Sequence, residues 1–119
     1  MKRGEVKVFL KGSSLDLAIY EATNAVWKEC YLLRKIGEET AYKLIGLLSK
    51  VFNVLDLYTV RGFEREVVNI AVKEGITVYD AAYIYIAAQN KLVLVTDDKK
   101  LMNTAKKYVN TATTIEIVT

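Results

Sequence analysis

Apolar positions recur along this chain with two different periods, and the places where the period changes divide it into elements. Val6-Lys7-Val8-Phe9-Leu10 reads as a strand, and Leu17 to about Lys35 reads as a long helix with Asp16 as its N-cap. Tyr42, Leu44, Ile45, Leu48 and Val51-Phe52 recur at helical spacing, which predicts a helix over 38–52 whose apolar stripe packs in the core. The pattern continues with a strand at 54–58, helices at 61–74 and 78–89, a strand at 92–95, a helix at 98–108 and a strand at 114–118. Gly37 and Gly75 sit where helices should stop. Lys91-Leu92-Val93-Leu94-Val95 carries the continuous apolar run of a strand covered on both faces of a parallel sheet. Helices alternating with short apolar strands predict a three-layer α/β sandwich with a mainly parallel sheet.

This layout brings carboxylates together. The strand at 92–95 ends in Thr96-Asp97-Asp98, where an aspartate is placed to cap the next helix. Thr77-Val78-Tyr79-Asp80 has the spacing of a capping box at the start of an alanine-rich helix, and only Gln89-Asn90-Lys91 separates that helix from the strand. The helix runs one way for about 18 Å and the strand returns about 13 Å the other way, so Asp80 and Asp98 finish at the same end. Glu21, little more than one turn into its own helix, reaches that end through a separate strand–helix unit. Open α/β sheets bind their ligands at the carboxyl ends of their strands.

Composition narrows the chemistry. The chain has 119 residues, 52% hydrophobic and 26% charged, which makes one globular domain. It contains no histidine, so no side chain has an unperturbed pKa suited to moving protons near neutral pH, and clustered acids then hold Mg²⁺ or Mn²⁺ more readily than they run acid–base catalysis. There is no apolar run of membrane-spanning length and no signal-peptide core, and the expected location is the cytoplasm. The single cysteine, Cys30, is a small core residue rather than a nucleophile, since nothing is present to activate it. The net charge is +3, with Lys28, Arg34, Lys35, Lys99 and Lys100 framing the acids. A polyanion can approach such a surface, although on charge alone an ordinary solvated face is the simpler reading.

Each acid has a plain structural alternative. Glu21 lies among Leu17, Ala18, Ile19, Ala22, Ala25 and Val26, where an unpaired carboxylate is costly. Asn24 and Lys28 follow at i+3 and i+7, so Glu21 is either a metal ligand supported by Asn24 or the partner of one of these two side chains. Asp80 is also the acid of a capping box, and Asp98 or Asp97 is also an N-cap. A shared cation at one sheet edge accounts for all three acids at once and removes their mutual repulsion.

Three segments carry a resemblance. Leu17 to Glu29, with Tyr20-Glu21 and Asn24-Ala25, is similar to the "YE..NA" helix of the PIN domain family. Ile76-Thr77-Val78-Tyr79-Asp80-Ala81-Ala82-Tyr83 is similar to its "T.YDA.Y" helix start, and Leu92 to Leu101 to its "LVT.D..L" strand-to-helix turn. The family comprises metal-dependent nucleases, among them the VapC-type toxins of prokaryotic toxin–antitoxin pairs. The resemblance implies a Mg²⁺- or Mn²⁺-dependent ribonuclease with Glu21, Asp80 and Asp98 as catalytic and metal-binding residues. It implies Thr96 and Asp97 as their neighbours, RNA as substrate, a VapB-type antitoxin as partner and a homodimer. Lys28, Lys99 and Lys100 lie near these acids in sequence and are the candidates for contacts to RNA phosphates.

The pattern departs from the family at its start. PIN domains begin with a central strand ending in an aspartate within D-[TS]-[SN], followed by a helix, whereas this chain reads as beginning at the second strand. Lys11-Gly12-Ser13-Ser14 puts lysine where the aspartate belongs, and Glu21 follows it too closely. A strand plus crossover helix, about 30 residues, is missing from the pattern, and an N-terminally truncated sandwich is expected. Either the start codon is misplaced, or the chain is a catalytically degenerate PIN-like module that binds RNA or protein. Losing a central strand would leave Val6–Leu10 and Leu92–Val95 with unpaired edges. Those strands must then close on one another, exchange, or be covered in a homodimer to which helix 38–52 contributes.

Overall fold

The computed structural model describes residues 7–10 and 12–118; Val6 of the expected first strand and Lys11 of the turn after it lie outside these. Five short strands form one sheet: β1 (Val8–Phe9), β2 (Ser13–Leu15), β3 (Asp56–Tyr58), β4 (Leu94–Val95) and β5 (Thr111–Ala112). Their order is β3-β2-β1-β4-β5. The outer pairs β2–β3 and β4–β5 are parallel, while β1 is antiparallel to both neighbours. Four strands therefore point one way and the central one points the other. The helices are α1 (Leu17–Trp27), α2 (Glu38–Val54), α3 (Glu64–Glu74), α4 (Val78–Gln89), α5 (Lys99–Ala105) and α6 (Thr114–Val118). The α/β sandwich is the expected one, and its sheet is mixed because of β1.

The central strand is where the structure corrects the sequence reading. The first strand does not feed α1; Ser13–Leu15 does, and it is wholly buried. Its two serines hide it from a search for apolar runs, yet Ser14 Oγ turns inward and donates to the Lys7 carbonyl at 2.7 Å. Gly12, at φ +76°, makes the return between β1 and β2 with backbone that other residues rarely adopt. The gap expected between the first strand and Leu92–Val95 is closed within the single chain, with Val8 opposite Val95 and Phe9 opposite Leu94.

Other boundaries shift for local reasons. The long helix expected to Lys35 is α-helical to Trp27, then widens into a π-helical turn, Lys28–Leu32, with the Leu33 N–H donating to the Lys28 carbonyl at 2.8 Å. Asp16 stands at the start of α1 but makes no side-chain cap bond. The stretch 114–118, expected as a strand, is helix α6. Thr113 and Glu116 form a capping box in which each accepts the other's backbone N–H, at 3.2 and 2.8 Å, and the last strand is Thr111–Ala112 instead.

The core gathers Phe9, Leu15, Val67, Tyr83, Ile84, Ile86 and Leu94 from the sheet, α3 and α4. The Phe9 ring meets Tyr83 and Tyr58 at centroid distances of 6.1 and 6.2 Å. α2 does not belong to this core. It packs on α1 and buries only Ala41, leaving Tyr42 73% exposed and Leu44 and Val51 exposed as well. A groove of about 530 Å³ opens where α2 meets the end of α1 and the π-helical turn, lined by Trp27, Tyr31 and Tyr42, with half-buried Cys30 on its wall rather than in the core.

Candidate active site

Because β2 and β4 run the same way, the helices that follow them start at the same edge of the sheet, and that edge receives Glu21 from α1 and Asp98 from α5. α4 runs back along β4, so its first turn, with Asp80, belongs to the same edge. The register of β1 brings a fourth group. Val8 opposite Val95 and Phe9 opposite Ser13 place Lys7 level with Leu15 and Thr96, the last residues before the two acidic turns.

Glu21 is held by partners other than the expected ones. Its side chain is 17% exposed; Oε1 accepts a hydrogen bond of 2.6 Å from the Tyr83 hydroxyl, and Oε2 lies 3.9 Å from the Lys7 ammonium. Lys7 is buried, with its ammonium 5.3 Å from the centre of the Tyr83 ring. Burial, and then the hydrogen bond to Glu21, push the Tyr83 hydroxyl well above its usual range. It is therefore a fixed donor to the carboxylate. Asn24 is exposed and Lys28 half-buried, and neither pairs with Glu21.

Asp80 is half-buried in the first turn of α4, its backbone N–H donating to Thr77 Oγ1 at 3.1 Å as the capping-box spacing predicts. Asp98 caps α5: Oδ1 accepts from the N–H groups of Lys100 and Leu101 at 3.0 and 3.2 Å. Buried Thr96 accepts from the Asp98 N–H at 3.1 Å and so sets the turn. Asp97 points to the other side of that turn and accepts from the Thr114 N–H and hydroxyl at 2.9 and 2.7 Å, which fastens α6 to it.

No family model matches the chain. Over 99 residues, 83% of its length, it is 40% identical to "Exonuclease VapC9" of Pyrobaculum aerophilum, spanning 71% of that protein. It is 36% identical over 90 residues, 74% of its length, to "Ribonuclease VapC3" of the same organism, spanning 66% of that one. The fold superposes with a TM-score of 0.73 on the crystal structure of PAE2754 from Pyrobaculum aerophilum, at 34% identity, covering 89% of this chain and 74% of that one. The chain belongs to the VapC family of PIN-domain proteins.

The three acids start from one sheet edge, but they are not gathered around a common point. Among the described residues no group of three or more histidine, cysteine, aspartate or glutamate side chains is placed to hold a metal ion. Glu21 faces Tyr83 and Lys7, and Asp98 spends one oxygen on the α5 cap. In this arrangement the residues do not fit a divalent ion. Lys99 and Lys100 are exposed in the first turn of α5, immediately after Asp98. Lys7, beside Glu21, and Ser14, bonded to the Lys7 carbonyl, are residues that motif reading passed over, and Tyr83 closes the "T.YDA.Y" segment without having been singled out. The trace it left is a phenol in an apolar helix, where its hydroxyl needs a partner.

Proposed function

We propose that this VapC-family chain is a ribonuclease, with Glu21, Asp80 and Asp98 as its acidic site and Asn24, Thr96 and Asp97 in support. What supports this is topological: β2 and β4 point the same way, so the helices that carry Glu21 and follow Asp98 start from a common sheet edge, and α4, with Asp80 in its first turn, precedes β4, in a chain without histidine. RNA lies along that edge with phosphates against Lys28, Lys99 and Lys100, and hydrolysis of its phosphodiester bonds depends on Mg²⁺ or Mn²⁺, which requires the acids to leave the arrangement described above, in which Lys7 stands beside Glu21. Charge reversal at Lys99 and Lys100 weakens RNA binding and flattens its salt dependence. A VapB-type antitoxin and a second copy of the chain are its partners, and it works in the cytoplasm; no helix among the described residues is long and apolar enough to cross a membrane.

The test is cleavage of single-stranded RNA by the purified chain with and without EDTA. Cleavage that stops in EDTA and in Asp80→Ala supports the reading, and full activity in EDTA overturns it. The ammonium of Lys7 beside Glu21 favours a second reading, a degenerate module that binds RNA or protein without cutting. RNA bound with a salt-dependent affinity and left intact at saturating Mn²⁺ would select that reading.

A further inference from the structure

Lys7 is the only buried charged side chain among the described residues. An ammonium is costly to bury unless it is paired, and this one meets two groups: the Glu21 carboxylate at 3.9 Å and the face of Tyr83 at 5.3 Å. It arrives there because β1 runs against its neighbours. Lys7 and Phe9 share one face of the strand, and Phe9 is locked in the core against Tyr58 and Tyr83. The Ser14 hydroxyl holds the Lys7 carbonyl from the neighbouring strand. A reversed central strand thus carries a positive charge to the edge where the acids converge.

We propose that Lys7 is a built-in cation of the acidic site, and that a divalent ion reaches Glu21 only by displacing its ammonium. One positive charge close to the carboxylate offsets its negative charge, as a bound ion would. The same contact keeps that oxygen from an ion arriving from solvent. An anchor that merely fastens β1 would affect stability and leave ion affinity unchanged. The proposal rests on Glu21 belonging to the site, and its readout is ion binding rather than RNA cleavage. Tighter Mn²⁺ binding by Lys7→Met without cleavage would overturn the ribonuclease reading and leave Lys7 in place. Ion-dependent cleavage with the same Mn²⁺ requirement in both proteins would do the reverse.

The experiment is Mn²⁺ titration of the full chain, followed by calorimetry, for wild type, Lys7→Arg, Lys7→Met and Lys7→Met combined with Glu21→Gln. Lys7→Met is expected to bind Mn²⁺ about tenfold tighter than wild type or more. Lys7→Arg should stay near wild type, and the gain should vanish in the double variant. Equal affinity in wild type and Lys7→Met, or a gain that survives Glu21→Gln, overturns the proposal. Should Lys7→Met fail to fold, wild type alone decides through the rate at which an amine-reactive acetylating reagent modifies Lys7, read by mass spectrometry. Modification that is slow in the free protein and faster at saturating Mn²⁺ supports displacement, and a rate indifferent to Mn²⁺ overturns it.

Discussion

Glu21 survives among apolar neighbours because two side chains from distant parts of the chain meet it, and the Tyr83 hydroxyl is the closer of them at 2.6 Å. Tyr83→Phe leaves the carboxylate without that charge-assisted bond and should destabilise the fold by about 1.5–3 kcal/mol, measured by urea denaturation. The same bond has a pH signature. Burial and Glu21 raise the tyrosine above its ordinary value of 10.0, so the folded state favours the neutral phenol. The stability it contributes is complete below pH 10.0 and falls as the pH rises beyond that. An ultraviolet titration should show Tyr83 ionising only as the protein unfolds, after its exposed tyrosines, and ionisation together with them would contradict the hydrogen bond. That the Glu21 carboxylate needs partners was legible, because its own turn is apolar. Its partners were not, since Lys7 lies just before β1 and Tyr83 on α4, 62 residues away, and no local spacing encodes such a meeting.

Helix starts carried most of what the sequence told correctly, and one of them now separates stability from chemistry. Asp98 caps α5 through Oδ1, so Asp98→Ala should cost about 1 kcal/mol of stability as well as activity. Asp98→Asn keeps the capping oxygen and should hold stability within a few tenths of a kcal/mol, by thermal denaturation, while abolishing cleavage. The Thr77 box and the apolar run at Leu94–Val95 were readable because they are short-range patterns. Two elements were misjudged for opposite reasons. β2 is a buried strand in which two of three residues are serines, the Ser14 hydroxyl bonding to the Lys7 carbonyl, and 114–118 alternates like a strand but is turned into a helix by the Thr113–Glu116 box.

The molecule as a whole measures 42 × 30 × 27 Å, and α2 with the π-helical turn bears much of its exposed apolar surface, including Leu32, Leu47 and Val54. Periodicity identified the apolar stripe of α2 but could not say whether core or partner covers it. Among the described residues α1 covers only part of it, and we expect a second copy to cover the rest. Sedimentation at micromolar concentration should give a dimer that Leu47→Asp with Val51→Asp converts to a folded monomer; a wild-type monomer would contradict this. The overall α/β plan was legible from alternating helices and strands, whereas the reversal of β1 was not, because pairing direction is set by the turn at Gly12 and by which edge is free. On the function proposed above, the edge formed by Glu21, Asp80 and Asp98 is the place where RNA is cut. The rate at which Asp98→Asn cleaves a single-stranded RNA, compared with wild type at matched folding and saturating Mn²⁺, tests this most directly. The expected result is cleavage by wild type and only background cleavage by the variant, and an unchanged rate in the variant would contradict the assignment.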